Sequence, residues 1–165
     1  IPEEKMMEKV AVRGVSLKSD EARISVMDIP DRPGLAANLF GKLASANVNV
    51  DMIVQSTGKQ AINTISFTVP EKDINSSRQI VELFIKEGGG SFNIDQEIAI
   101  VSAVGVGMKS HSGVAASMFQ ALAKKNINID MISTSEIKIS VVVKKNDGRT
   151  ALEAVHEAFG LGANG

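Results

Sequence analysis

The sequence predicts an α+β protein built from two ferredoxin-like βαββαβ units, and three observations predict it. The first is an internal repeat. Gly34 to Ser56 reads GLAANLFGKLASANVNVDMIVQS, and Gly113 to Ser135, 79 positions later, reads GVAASMFQALAKKNINIDMISTS. Twelve of the 23 aligned positions are identical, where ordinary residue frequencies give roughly one or two. The second is the alternation of apolar and polar residues around each repeated helix, which marks strands with one covered face. The third is an imbalance. No final strand is legible in the closing LGANG, whereas an extra strand-like segment, Lys9 to Leu17 (KVAVRGVSL), precedes the first half. The economical arrangement is that this N-terminal strand completes the second sheet. The units are then residues 18–95, and residues 8–17 together with 96–160.

In the first unit, Ala22 to Ile29 reads as a strand with Ile24 and Val26 inward. Pro30 and Pro33 break it, and Pro33 is suited to open a helix, where no N–H donor is needed. Leu35, Leu39 and Leu43 form a stripe at helical spacing that ends near Asn47. Val48 to Gln55 alternates, with Val48, Val50, Met52 and Val54 on one face and Asn49, Asp51, Ile53 and Gln55 on the other, so that Asn49, Asp51 and Gln55 point away from the helices. Ala61 to Val69 alternates again, and Ser56 to Gln60 joins the two strands as a hairpin. A helix from Asn75 to Lys86 is stopped by Gly88-Gly89-Gly90, and a short strand at Phe92 to Ile94 follows. The second unit repeats the order: strand Glu97 to Val106, helix Gly113 to Lys125, strands Ile127 to Ser133 and Ile137 to Val143, helix Thr150 to Phe159. Its hairpin is five residues shorter.

Composition narrows the function. Net charge is −1, so no basic face is available to gather nucleic-acid phosphates. There are six Phe and no Tyr or Trp. Phe40, Phe67, Phe84, Phe119 and Phe159 fall at core-facing positions, not on a base-stacking platform. Cys is absent, which removes disulfides, thiolate nucleophiles and Cys-ligated zinc and fits a reducing, cytoplasmic setting. No apolar run reaches membrane-spanning length. His111 and His156 have no carboxylate or nucleophile at a telling spacing, so no catalytic residue and no metal ligand is expected. Gly105-x-Gly107 lacks the third glycine of a dinucleotide loop, and Thr57-Gly58-Lys59 lacks the upstream glycine of a phosphate loop.

Two recurring segments stand out. Asp31-Arg32-Pro33-Gly34-Leu35-Ala36 and its counterpart Lys109 to Ala115 are strand-to-helix turns. Helix N-termini attract anions through unpaired N–H groups, although every helix has one and a plain cap is the competing explanation. Asn47-x-Asn49-x-Asp51 recurs as Asn126-x-Asn128-x-Asp130. Turn chemistry explains such residues too, yet all three return in both copies.

The segments VAVRGVSL, ISVMDIPDRPGLAANLFGKLA, NVNVDMIVQS, VGMKSHSGVAASMFQALA and NINIDMISTSEIKISVVV together resemble the paired ACT domains of aspartokinase, from about Glu8 to Phe159. That family makes aspartyl phosphate, the first step toward lysine, threonine and methionine. Its ACT pair binds end-product amino acids and mediates feedback inhibition. The resemblance implies two tandem ACT domains without the kinase domain: a regulatory region or small regulatory subunit, no cofactor, and threonine or lysine as effector. It implies one effector site at Asp31, Gly34, Leu35, Ala36 and Gln55 with Asn128 and Ile129. It implies a pseudo-symmetric site at Met108, Ser110, His111, Val114, Ala115 and Ser135 with Asn49 and Val50. The expected partners are a free amino acid, a second copy of the chain and the aspartokinase catalytic domain or subunit, with no nucleic acid and no membrane. The competing expectations are an ACT assembly module with degenerate ligand sites, and a nucleic-acid-binding βαββαβ domain, which charge and composition disfavour.

Overall fold

A computed structural model describes residues 12–105 and 112–160. The chain divides into two compact units. Asp20–Gln96 forms what we call the middle unit, and the described parts of Ile1–Ser19 and Glu97–Gly165 form the split unit.

The middle unit contains the second part of β1 (Val12–Pro30), α1 (Leu35–Ser45), β2 (Ile53–Thr57), β3 (Ile62–Pro70), α2 (Ile74–Gly88) and the first part of β4 (Ser91–Gly105). Its strand order is β2-β3-β1-β4, with β3 antiparallel to both β1 and β2. This is the ferredoxin-like plan. Ile24 and Val26 of β1 and Ile65, Phe67 and Val69 of β3 share one face, and that face packs with Leu39 and Leu43 of α1 and Val81 and Phe84 of α2. Burying each such side chain contributes about 1.5–3 kcal/mol. Phe40 meets Phe67 edge to face, centroids 5.4 Å apart.

The split unit contains the first part of β1, the second part of β4, α3 (Ser112–Lys124), β5 (Met131–Thr134), β6 (Lys138–Lys144) and α4 (Gly148–Ala158). Its strand order is β1-β4-β6-β5. The N-terminal strand does complete this unit. Val12 is buried in its core, Val15 and Leu17 pack against that core, and Leu17 lies against the start of α4 beside Gly148. Lys9 to Ala11, at the start of the expected strand, lie outside the described residues.

Several expectations are corrected. The sequence suggests Lys9–Leu17 and Ala22–Ile29 as separate strands, and likewise Phe92–Ile94 and Glu97–Val106. Within the described residues each pair is one continuous strand, β1 and β4. Nothing between them breaks an extended backbone: Lys18 to Glu21 and Asp95-Gln96 contain neither Pro nor Gly. The strand expected from Val48 begins only at Ile53, and that expected from Ile127 begins only at Met131. A bulge is the cause. Asp51 N–H donates to Thr68 O and Thr68 N–H donates to Met52 O, so two residues face one. The second unit repeats it, with Asp130 N–H donating to Val142 O while Met131 pairs with Val142.

The bulge reverses the alternation. Val48 and Val50 belong to the helix-side core, but from Ile53 onward the residues opposite core-facing Phe67 and Ile65 are Ile53 and Gln55. Gln55 therefore lies on the helix-facing side of an edge strand, and not with Asn49 and Asp51 on the far face. The far face is not uniformly solvated. Thr68 is buried in the middle unit, and Ile98, Ile100 and Val142 are buried in the split unit. Hydroxyl pairs bridge adjacent strands there, Ser25 with Ser66 at 2.9 Å and Ser102 with Ser140 at 2.7 Å.

Candidate functional site

In the middle unit, strand register gathers three chain segments at one end of the sheet. Pro30 pairs with Ile62, Ile29 with Asn63, and Thr57 with Asn63. Asp31 to Gly34 leave the sheet at that end and lead into α1. Gly34 is the N-cap, at φ +90°, a conformation that glycine adopts without the Cβ penalty. It offers no side chain to cap the helix, and the first turn carries no acidic residue. The first intrahelical bond runs from Asn38 N–H to Gly34 O at 2.9 Å. The Ala36 and Ala37 N–H groups, within the first turn, thus have no intrahelical acceptor. They stand at the positive end of the helix.

Asp31 supplies the complementary charge. Its Oδ1 accepts a hydrogen bond from Asn63 Nδ2 at 3.1 Å. Gln55 is exposed on β2, two residues before Thr57. Leu35 and Ala36 are partly buried against the core, so toward a ligand they offer backbone more than side chain. This end of the sheet therefore presents donors for an anion, a carboxylate for a cation, and an edge-strand amide.

In the split unit the described residues include the corresponding helix and hairpin. α3 begins at Ser112, and the β5–β6 hairpin is closed by Ser135 N–H donating to Lys138 O at 2.8 Å. Ser135 Oγ also accepts from Ile137 N–H at 3.4 Å, so this hydroxyl serves the turn. The Val114 side chain is buried in the core, so toward a ligand it offers backbone. Ala115 packs against the same core. Met108, Ser110 and His111 lie outside the described residues.

The Asn-x-Asn-x-Asp pattern has a structural explanation in part. Asn47 and Asn126 take φ of 60° and 58°. Each ends its helix in a Schellman motif. Val48 N–H reaches Leu43 O and Asn47 N–H reaches Ala44 O, and Ile127 and Asn126 do the same with Leu122 and Ala123. Asp51 and Asp130 mark the bulges. Asn49 N–H donates to Asp73 Oδ2 at 3.3 Å, and Val50 and Ile129 pack against their own cores. Asn128 is exposed. Within its own unit each of these pairs follows the helix C-terminus, not its N-terminus.

Sequence reasoning missed Asn63. The signal was present: Asn63 stands two residues before Ile65 in the file that continues with Phe67 and Val69. A polar residue there breaks the apolar face. Among the described residues no group of three or more His, Cys, Asp or Glu could hold a metal ion, and no helix is long and apolar enough to cross a membrane. A groove of about 520 Å³ between α3 and α4 is lined by Gln120, Lys124, Lys125 and Glu157 with Ser and Ala residues. None of the expected site residues lines it.

Two ferredoxin-like βαββαβ units in tandem define an α+β protein of two small repeated domains, and the comparisons agree. Models of the ACT domain match residues 22–89 and 101–159. An aspartate kinase of Stutzerimonas stutzeri is 46% identical over 164 residues, covering 99% of this chain and 40% of that protein. The chain thus spans about 40% of the length of that curated relative. The ligand-free regulatory subunit of aspartate kinase from Thermus thermophilus superposes with a TM-score of 0.86 at 42% identity, covering 90% of this chain and 99% of that one. A chain from a crystal structure of aspartokinase α and β subunits gives 0.81 at 43% identity, with the same coverages of 90% and 99%. The chain belongs to the regulatory, tandem ACT-domain family of aspartokinases, and it contains ACT domains without a kinase domain.

Proposed function

We propose that this chain senses a free amino acid, threonine or lysine, and transmits feedback inhibition to an aspartokinase catalytic domain or subunit. The observation that carries the reading is the uncapped N-terminus of α1 with the Asp31 carboxylate beside it. A free amino acid has the matching pair of charges. Its carboxylate takes the helix N–H groups, its ammonium takes Asp31, and Gln55 reads the side chain. Threonine is the first choice and lysine the second. The resemblance to aspartokinases adds Asn128 and Ile129 to this site. It adds a second site at Met108, Ser110, His111, Val114, Ala115 and Ser135 with Asn49 and Val50.

Regulation then follows from linkage: a ligand that binds one state better than another shifts the population toward it. That aspartokinase α and β subunits occur in one crystal supports a catalytic partner for this chain. A homodimer and a cytoplasmic location complete the proposal. Calorimetric titration with threonine, lysine and methionine tests it. Saturable binding of threonine or lysine is expected. A melting temperature unmoved by any of the three would favour an assembly module with degenerate sites.

A further inference from the structure

Asn63 occupies a position where the chain's own pattern asks for an apolar side chain. It precedes Ile65, Phe67 and Val69 at two-residue steps on β3, and it is only 4% exposed. Its neighbours across the sheet are Ile29 and Thr57. One end of its amide is used: Nδ2 donates to Asp31 Oδ1 at 3.1 Å. The other end, Oδ1, is buried with no hydrogen-bond partner. That orientation is dictated by Asp31, because the reversed amide would set a carbonyl against a carboxylate. A residue chosen for the core alone would not leave a buried acceptor unpaired.

The split unit offers a control inside the same chain. The repeat aligns Gln55 with Thr134, and these pair with Ile65 and Ile139. Two residues before each of those partners stand Asn63 and Ile137, and the repeat aligns Asp31 with Ser110. Neither the amide nor the carboxylate recurs.

We propose that Asn63 is a positioning residue of the middle unit's amino-acid site, whose amide holds the Asp31 carboxylate at the entrance to α1 for the ligand's ammonium. This rests on the amino-acid reading above. It makes the two pseudo-equivalent sites unequal, since the matching positions of the split unit hold no fixed carboxylate.

The test uses the whole chain, melted without ligand and titrated with L-threonine and L-lysine. Asn63→Leu removes the unpaired buried acceptor, so the ligand-free melting temperature is expected to stay or rise. Affinity is expected to fall on the order of tenfold. Asp31→Asn weakens binding as well, and adding Asn63→Leu to it costs less than about twofold more, because the two groups act as one. A lower melting temperature with unchanged affinity, or fully additive losses, overturns the proposal. If Asn63→Leu does not fold, Asn63→Ser takes its place, since the shorter hydroxyl leaves Asp31 unheld. A tenfold loss there supports the positioning role and unaltered affinity overturns it. Failure of the unsubstituted chain to bind either amino acid overturns the amino-acid reading itself, which separates that failure from this one.

Discussion

At the scale of single residues, backbone conformation and hydrogen-bond partners decide what a side chain does. Gly34 at φ +90° has nothing within 4 Å of an added Cβ, so Gly34→Ala meets conformational strain and no clash. It is expected to lower stability by about 1–2 kcal/mol, read as a lower denaturation midpoint with an unchanged slope. Gln55 is exposed and carries no core packing. Gln55→Ala is therefore expected to leave stability alone. By losing one hydrogen bond to a polar ligand it weakens amino-acid binding by about 1–2 kcal/mol, on the order of tenfold. Undiminished titration affinity in a folded Gln55→Ala variant would place the site elsewhere. The buried Asn63 belongs to the same scale. Its meaning comes from one bond to Asp31 and one missing bond, and its residue type alone told little.

At the scale of elements, β1 is the instructive case. One strand of 19 residues serves two units, with Asp20 as the first residue of the middle one. Removing residues 1–17 takes Val12, Val15 and Leu17 from the split unit's core and leaves β4 with an unpaired edge. Amide hydrogen exchange is expected to accelerate in β4 from Glu97 onward, β6 and α4 far more than in β2, β3 and α1. Equal acceleration in both sets would contradict the assignment of this strand. The bulges at Asp51 and Asp130 act on a similar scale. Each reverses which face of the edge strand meets the helices, and so each sets where the first residues of β2 and β5 point.

At the scale of the whole molecule, ligand binding and assembly are read from mass action. Threonine or lysine at 100 times its dissociation constant is expected to stabilise the native chain by about 2.7 kcal/mol for one site. Two equivalent sites would contribute twice that. The unequal charge of the two sites predicts one strong binding event in calorimetry, with any second event weaker. Light scattering is expected to report a homodimer. A monomeric mass at high concentration with amino acid present would remove the assembly part of the proposal.

Much of this protein is determined by its sequence alone. The gapless repeat, the helical stripe of Leu35, Leu39 and Leu43, and the alternation in β3 specify two βαββαβ units, because periodicity is local and needs no partner to be read. The incomplete second unit and the spare N-terminal strand also specify the crossover, since an unpaired sheet edge is a cost that the chain can relieve in few ways. Tertiary structure decided what depends on distant partners. A strand's period cannot reveal that Asp51 and Met52 will both bond Thr68, so the face of Gln55 became known only with the register. Nor can it reveal that Asn63, 32 residues away in sequence, will grip Asp31. Hydrogen bonds of such reach are made by the fold, and they turn a helix terminus into a candidate site.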